Sequence, residues 1–316
     1  MIYNKEFDEE RKGLEELTHI EEDITNPVLC EIDELYGAAD VLSMKHYEKH
    51  RQKIIRISII APFIVFFFLL YEAIELHWII IAVTALILLL YFVYTHPKDE
   101  DSHAKYLEYR VLAETLRTQY FISKSGVKKN VVELMPWFTY LGIPLIKDVF
   151  SELSSIDPNI RESILDCWIR DQMNYHDNAH KKALKQYERH ELYEKIALAV
   201  TLIVYGIALF FEISMMLNLP LEFEIAHWVR AGFKIGVGTA TAITIFLSNY
   251  YGKMSLSSKI EEHIRMFWLY QKVEREIKIT KEETPEQIAY LARECLVENA
   301  TWYSHQKKNK PDFAVE

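Results

Sequence analysis

Four long apolar runs constrain the fold of this chain more than any other feature of its sequence. They form two pairs, residues 54–74 with 78–94 and residues 196–219 with 231–251. A helix needs roughly 17 to 20 apolar residues to cross a membrane, and each run reaches that length. A buried helix of a soluble protein normally keeps a polar stripe, which the segment LILLLYFVY lacks. The sequence therefore predicts four membrane-spanning helices.

The turn within each pair indicates a membrane hairpin. Residues 72–77 and 212–227 contain no Lys or Arg. Basic residues cluster instead before the first and third spans, at Lys45, Lys49, Arg51, Lys53, Arg56, Lys181, Lys182, Lys185, Arg189 and Lys195. Because short cytoplasmic segments carry the excess of Lys and Arg, we expect a multi-pass protein with both termini and its central region in the cytoplasm.

The two halves of the chain resemble each other. KHYEKH at 45–50 matches KQYERH at 185–190, and Glu72 matches Glu212 at the same offset of 140 residues. Three further matches follow in the same order: 77–78 with 227–228, 113–120 with 261–268, and 168–172 with 302–306. This order predicts an internal duplication, each copy having a basic helix, a hairpin, a long cytosolic helix and a shorter helix with Trp.

The predicted fold is all-α, a polytopic membrane protein with two tandem hairpins and a helical cytosolic region. The expected domains are cytosolic N-terminal helices (1–53), hairpin 1 (54–95), a cytosolic helical region (96–195), hairpin 2 (196–251) and cytosolic C-terminal helices (252–316). Leu and Ile at helical spacing predict cytosolic helices over 5–22, 28–53, 98–123, 157–195 and 284–308. Asp157-Pro158 and Thr284-Pro285 fit helix starts. Residues 98–123 are expected to continue the second span.

Composition excludes several classes of function. The net charge is −10 and no dense Lys/Arg tract is present, so nucleic acid is not an expected partner. Cys30, Cys167 and Cys295 are widely spaced, which predicts reduced thiols facing a cytosol. The acidic stretch MIYNKEFDEERKGLEEL predicts no cleavable signal peptide.

Two short patterns favour packing over chemistry. Histidines stand four residues apart at His46 and His50 and again at His176 and His180. Zinc requires three or four ligands, and no Cys or HExxH pattern supplies the others. The second copy also replaces His46 by Gln186. GFKIGVG at 232–238 lies inside the fourth span, where small residues fit close helix contact in lipid. We therefore expect no metal and no cofactor.

Charged residues at the outer ends of the spans leave two interpretations open. They are Glu72, Glu212, Arg230 and Lys234. In the first interpretation the basic side chains snorkel to headgroups and the glutamates face outer water. In the second, these groups line the mouth of a conduit, and Glu212 pairs with Lys234.

Aromatic and charged residues on the cytosolic helices are candidates for ligand or partner binding. They are Tyr109, Arg110, Glu114, Arg117, Trp168, Arg170, Asp171, Gln172, Tyr175 and Arg265. One interpretation is helix packing with satisfied salt bridges. The other is a pocket for a small anionic ligand, where Arg supplies paired donors and aromatic rings stack. No catalytic set can be assigned, so enzymatic activity is not expected.

YRVLAETLRTQYFISKSGV (109–127), with MPW (135–137) and WIRDQMNYH (168–176), resembles the membrane region of bacterial SLATT-type proteins. It is similar to that of prokaryotic TRPM-like SLOG proteins. The resemblance implies an antiviral (antiphage) defence effector in the bacterial inner membrane, which a nucleotide signal triggers to assemble and permeabilise that membrane. The chain has two hairpins where the simplest members have one, and it carries no recognisable SLOG domain. A trigger would then bind the cytosolic helices or reside on a partner.

The leading hypothesis is an oligomeric, ligand- or partner-gated effector without enzymatic chemistry. Its expected partners are the lipid bilayer, further copies of itself, and a nucleotide second messenger or a SLOG or cyclase-like protein. One alternative is a non-conducting membrane scaffold that recruits a cytosolic partner. Another is a housekeeping ion channel or transporter.

Overall fold

The computed structural model describes residues 4–74, 76–95, 97–153, 160–217, 223–253 and 256–308, and every regular element in these ranges is helical. The helices are α1 (Lys5–Arg11), α2 (Pro27–Ile74), α3 (His77–Thr95), α4 (Pro97–Lys124), α5 (Val131–Leu134), α6 (Trp137–Gly142), α7 (Pro144–Glu152), α8 (Asp171–Met216), α9 (Phe223–Lys253), α10 (Leu256–Thr280) and α11 (Pro285–Lys308). A π-helical segment, Leu165–Arg170, leads directly into α8. The all-α prediction is confirmed for this part of the chain.

In the described part of the chain, three helical stretches are long and apolar enough to cross a membrane. They are Pro27–Ile74, His77–Thr95 and Leu165–Ser214, and the most apolar window of each has a mean hydropathy of 2.4. At most 6% of each window is buried within the protein, so its apolar side chains face outward. Apolar surface of this extent indicates membrane association. The fourth predicted span, 231–251, lies in α9, which is not among the three, so four spans and the duplication stay predictions.

One predicted cytosolic helix has a different end in the structure. The helix expected over 5–22 stops at Arg11, and residues 12–26, here called the N-terminal strap, are not helical. Residues 98–123 lie in α4, and the expected junction with the second span falls at residue 96, outside the described residues.

Other helix predictions agree more closely with the structure. The C-terminal prediction is confirmed in α11, where Thr284 and Gln287 form a capping box. The Gln287 N–H donates to Thr284 Oγ1 (3.3 Å), and the Thr284 N–H donates to Gln287 Oε1 (3.2 Å). Residues 28–53 belong to α2, which continues without interruption into the first apolar run. The expected start at Asp157-Pro158 lies outside the described residues.

The chain divides into two compact units. Unit 1 comprises Met1–His50, Asp101–Lys182 and Ser258–Glu316, and unit 2 comprises Arg51–Glu100 and Ala183–Ser257.

Helix α4 runs through the core of unit 1. Its Leu112, Leu116 and Tyr120 are fully buried, and Phe121 stacks on Trp168 with ring centroids 5.1 Å apart. The helix ends in a Schellman turn at Gly126, whose φ of 79° suits glycine.

The N-terminal strap is held against α2 and α4 by polar side chains. His19 Nδ1 lies 2.6 Å from Asp33 Oδ2, and Thr18 Oγ1 donates to Asp40 at 3.1 Å. Glu21 accepts hydrogen bonds from the Tyr120 hydroxyl (2.8 Å) and from Lys124. The strap passes so close to α2 that a Cβ atom on Gly37 would lie 2.1 Å from the Thr18 carbonyl oxygen.

Unit 2 contains close contacts between its helices. A Cβ atom on Gly238 would lie 2.5 Å from Leu69 Cδ1, which agrees with the small-residue packing expected for GFKIGVG. The hydroxyl groups of Thr201 and Thr244 also approach to 3.2 Å. Gly232 has open space at its Cβ position, so only part of the glycine pattern supports a close contact.

Candidate ligand cavity

A cavity of about 330 Å³ lies within unit 1. Residues from α2, α4, the π-helical segment, α8, α10 and α11 line it. Its volume falls at the lower end of the range that small-molecule sites occupy. The cavity can therefore accept a small ligand.

Helix α4 supplies a charged wall. Arg110, Glu114 and Arg117 follow one another at helical spacing and so share one face. Arg110 Nη2 lies 2.5 Å from one oxygen of Glu114, and Arg117 pairs with the other oxygen. Arg110 also pairs with Asp40 at 3.2 Å, so it has two ion-pair partners. Among the described residues, Arg117 pairs with Glu114 alone. Burial opposes ionisation of Glu114, but the two guanidinium charges hold its pKa below the ordinary value.

Aromatic side chains flank this wall. Tyr106 lies 5.1 Å from Tyr47 and 5.9 Å from Trp302, measured between ring centroids, and the Trp302 contact is edge-to-face. Trp168 and Tyr270 also line the cavity and meet edge-to-face at 6.4 Å. Rings of this kind can stack on a planar ligand.

Two histidines face each other across the cavity wall. Nδ1 of His176 on α8 and Nδ1 of His263 on α10 are 3.1 Å apart. Burial, together with the neighbouring His263 and Arg117 side chains, lowers the pKa of His176 to about 4. Burial also lowers the pKa of His263. Both rings are therefore neutral at pH 7, and one donates its Nδ1 proton to the other.

Helices α10 and α11 supply the remaining polar wall. Burial, together with the neighbouring Glu262, raises the pKa of Glu298 well above its ordinary value. Burial also lowers the pKa of Lys259. Cys295 Sγ lies 3.2 Å from the Tyr270 hydroxyl, and burial raises the thiol pKa to about 12. Cys295 is thus a poor nucleophile at neutral pH.

The cavity gathers half of the ligand-binding residues predicted from sequence. Those that line it are Arg110, Glu114, Arg117, Trp168 and Tyr175. Those that do not are Tyr109, Arg170, Asp171, Gln172 and Arg265. Tyr109 is buried with its ring 5.8 Å from Phe7, and Arg170 pairs with Glu274 at 2.8 Å. Tyr109 therefore serves in core packing, and Arg170 serves in a salt bridge.

Several lining residues were not selected from sequence. They are Ser43, Met44, Tyr47, Tyr106, Thr118, His176, Lys259, Glu262, His263, Met266, Tyr270, Cys295, Glu298, Asn299 and Trp302. Lys259, Glu262, Met266 and Tyr270 recur every three or four residues along α10, so they share a helix face. That period was visible in the sequence, but it does not show which face meets a cavity.

The charged residues of unit 2 are paired differently from the expectation. Arg230 makes two parallel hydrogen bonds to Glu212, of 2.7 and 2.8 Å, and Lys234 pairs with Glu72. The predicted Glu212–Lys234 pair is therefore wrong. The planar guanidinium matches both oxygens of a carboxylate, which explains why Glu212 takes Arg230.

Histidines considered as metal ligands have other contacts. His46 Nε2 lies 2.8 Å from Glu10, and the His50 ring lies 4.5 Å from that of His103. His180 Nδ1 lies 3.2 Å from the Ile260 carbonyl oxygen. In the part of the chain that the structure describes, no three His, Cys, Asp or Glu side chains are arranged to hold a metal ion.

No protein-family model matches the sequence, and neither a curated protein nor a solved structure matches it. The cavity and the three apolar helices are therefore the features from which a function can be inferred.

Proposed function

We propose that the chain is a membrane effector of a bacterial antiphage system, which oligomerises and permeabilises the inner membrane when a nucleotide signal engages its cytosolic helices. In this proposal four spans form two hairpins, both termini are cytoplasmic, and no step is enzymatic. The SLATT-type resemblance of residues 109–127 and 168–176 supports this assignment.

The observation that carries the proposal is the placement of cavity residues on helices that also carry apolar spans. Tyr47 lines the cavity and belongs to α2, whose helix continues to Ile74. Tyr175 and His176 line it from α8, which continues to Met216. A ligand that reorients these side chains would shift the helices that continue into the apolar runs. A gating mechanism requires that the ligand make different contacts with two conformational states of the protein.

The chemistry of the cavity favours an anionic ligand with a planar ring. Arg117 shares the Glu114 carboxylate with Arg110, so its guanidinium, which carries five N–H donors, keeps donors for a further anion. Guanidinium groups bind phosphate through paired donors. Tyr106 and Trp302 offer rings for stacking. A nucleotide has both a phosphate and a planar base.

Inducible expression in bacteria, with entry of a membrane-impermeant dye as the measurement, tests this proposal. We expect dye entry when the chain is coexpressed with a nucleotide-synthesising neighbour, and we expect Arg117→Met to abolish it at unchanged protein level. Arg275→Met is the matched control, since Arg275 is exposed on α10 and bonds only to Gln271 within the described residues. Absence of dye entry under every such condition would rule out the pore.

A non-conducting scaffold is the second candidate. It is favoured by the ion pairs Arg230–Glu212 and Lys234–Glu72, because charges that neutralise each other are poor lining for a conduit. In that case a stoichiometric cytosolic partner should copurify with the chain, and liposomes that contain the chain should stay tight.

A further inference from the structure

Two histidines join α8 to α10 at the cavity wall. Nδ1 of His176 lies 3.1 Å from Nδ1 of His263, and the two ring centroids are 5.3 Å apart. One turn further along α8, His180 Nδ1 lies 3.2 Å from the Ile260 carbonyl oxygen. Both contacts connect the same two helices, and all four residues belong to unit 1. The closure of this wall therefore depends on imidazole groups.

The two contacts respond differently to protons. A hydrogen bond between two nitrogen atoms requires that one donate a proton and the other offer its lone pair. The His176–His263 contact can hold one extra proton, on Nε2 of the ring that already donates. A second proton must go to the accepting Nδ1, and the contact then has two donors and no acceptor. His180 can donate to a carbonyl oxygen whether its ring is neutral or charged, so its contact can persist in acid.

The surroundings of the closed contact oppose extra protons. His176 is only 8% exposed, and burial and the charge of Arg117 hold its pKa far below the ordinary value. Glu114 acts in the opposite direction, but its charge is already shared by two guanidinium groups. Burial likewise lowers the pKa of His263, against the attraction of Glu262. Once α8 and α10 separate, water reaches both rings, and the pKa of each returns to about 6.5.

Other titratable and charged groups surround the pair. The His176 ring stacks on Tyr270 with centroids 5.7 Å apart, and Tyr175 meets both histidine rings edge-on. Because an aromatic face attracts an imidazolium, Tyr270 offsets part of the burial of His176. The cavity also presents Tyr47 from α2, Tyr106 and Arg110 from α4, Lys259 from α10, and Cys295 and Glu298 from α11.

We propose that the His176–His263 contact is a proton-operated latch, which holds α8 against α10 at neutral pH and releases it when the pair takes up two protons. The stimulus is acidification on the side of the membrane that unit 1 faces. The latch lies near the start of α8, which continues to Met216. Release therefore frees the start of a helix that is apolar enough to cross a membrane. The latch needs no nucleotide, so it is an input separate from the proposed trigger.

Electron paramagnetic resonance can measure the separation of the two helices. Spin labels are attached to Asn178→Cys on α8 and Glu261→Cys on α10, both exposed positions, in the full-length chain in lipid nanodiscs. Labelled chains are diluted with unlabelled ones, so that distances between copies do not contribute. The distance between the two labels should increase from pH 7 to pH 5.5. The native cysteines are replaced by Ser, so that the introduced thiols alone react: Cys30, Cys167 and Cys295.

Asparagine in place of both latch histidines provides the matched control. Its amide presents a donor and an acceptor but does not titrate. The double variant His176→Asn, His263→Asn should therefore keep the labels at their pH 7 distance at both pH values. His180→Asn changes the other contact between the same helices, so its response to pH should persist.

Hydrogen exchange tests the latch with the native cysteines in place. After correction for the pH dependence of chemical exchange, amides in 172–181 and 258–266 should lose protection roughly tenfold between pH 7 and pH 5.5. This is the gain in opening that one ring provides when its pKa rises from about 4 to about 6.5. Release of His263 adds to it. Amides in 109–121 of α4 should keep their protection, because the proposal releases only the wall formed by α8 and α10.

Three results would overturn the latch. In the first, the label distance and the protection are the same at both pH values. In the second, the response persists in the double Asn variant, which assigns it to another group of the cavity. In the third, α4 loses protection together with α8 and α10, so acid unfolds unit 1 as a whole. The dye-entry result does not depend on any of these outcomes, so the proposed function is judged separately.

Discussion

Glu114 is the residue on which the charge balance of the cavity depends. It bridges Arg110 and Arg117, and its own side chain is only 18% exposed. Removal of one partner from a buried ionic network leaves uncompensated charge. Glu114→Gln should therefore lower the free energy of unfolding by about 2 kcal/mol, measured by thermal or urea denaturation.

The same substitution should strengthen anion binding, which distinguishes an ionic role from a purely structural one. With the carboxylate gone, both guanidinium groups can turn to a phosphate. Inorganic phosphate should bind more tightly to Glu114→Gln than to wild type in nanodiscs. Equal or weaker phosphate binding would show that Arg110 and Arg117 do not form an anion site.

His176 should make unit 1 sensitive to acid. Its pKa is about 4 in the folded protein, below the ordinary 6.5, because burial and neighbouring positive charge disfavour the imidazolium. Between these pH values the unfolded chain binds a proton that the folded chain does not, so stability falls as the pH is lowered. We expect a loss of about 2 kcal/mol between pH 7 and pH 4.5.

His176→Asn should reduce this loss, and urea denaturation over that pH range measures it. His305→Asn is the control, because His305 is half-buried on α11 and does not line the cavity. His263 titrates in the same direction, so some acid sensitivity should remain in His176→Asn. An unchanged pH slope in that variant would contradict the prediction.

At the scale of elements, the contact between the N-terminal strap and α2 depends on a missing side chain. A Cβ atom on Gly37 would lie 2.1 Å from the backbone oxygen of Thr18, so backbone must move to admit it. Gly37→Ala should lower the free energy of unfolding by about 1–3 kcal/mol, as overpacking does. Trypsin should then cleave faster after Lys12, an exposed residue at the start of the strap, because the strap is held less firmly. Gly13→Ala is the matched control, because its Cβ would meet only the Glu10 oxygen at 3.6 Å. Equal trypsin cleavage in both variants would contradict this account.

The sequence predicted which segments are helical better than it predicted where each helix begins and ends. Helical spacing, Thr284 and Gln287 together indicate α11, and the structure has it. Spacing also suggested helix over 5–22, but Thr18 and Glu21 find partners on α2 and α4. Those tertiary hydrogen bonds hold the strap in a non-helical path, and local spacing carries no information about them.

The candidate cavity was only half predictable for the same reason. Arg110, Glu114 and Arg117 occupy one face of one helix, so sequence spacing alone placed them together. Glu262 and Glu298 come from different helices. Their encounter depends on how α10 and α11 pack, and the spacing within either helix carries no information about that packing.

At the scale of the whole molecule, the number of crossings decides on which side of the membrane the C-terminal part of unit 1 lies. Among the described residues, three apolar helices qualify as spans by length and composition, and α9 is the predicted fourth. Arg230 and Lys234 make α9 costly to insert, although their pairing with Glu212 and Glu72 offsets part of that cost. Residues on α10 and α11 can share a cytoplasmic cavity with α4 only if α9 crosses, because an odd number of spans would separate them.

Reporter fusions measure this directly. If four helices cross, green fluorescent protein fused after residue 308 should be fluorescent. Alkaline phosphatase fused at the same point should be inactive. The same fusions after residue 217 should give the opposite result, because that point follows three spans. Since phosphatase folds only outside the cytoplasm, activity after both residues would show that α9 does not cross. The chain would then have its termini on opposite sides of the membrane, and a cytoplasmic signal could not reach a cavity built from α4, α10 and α11.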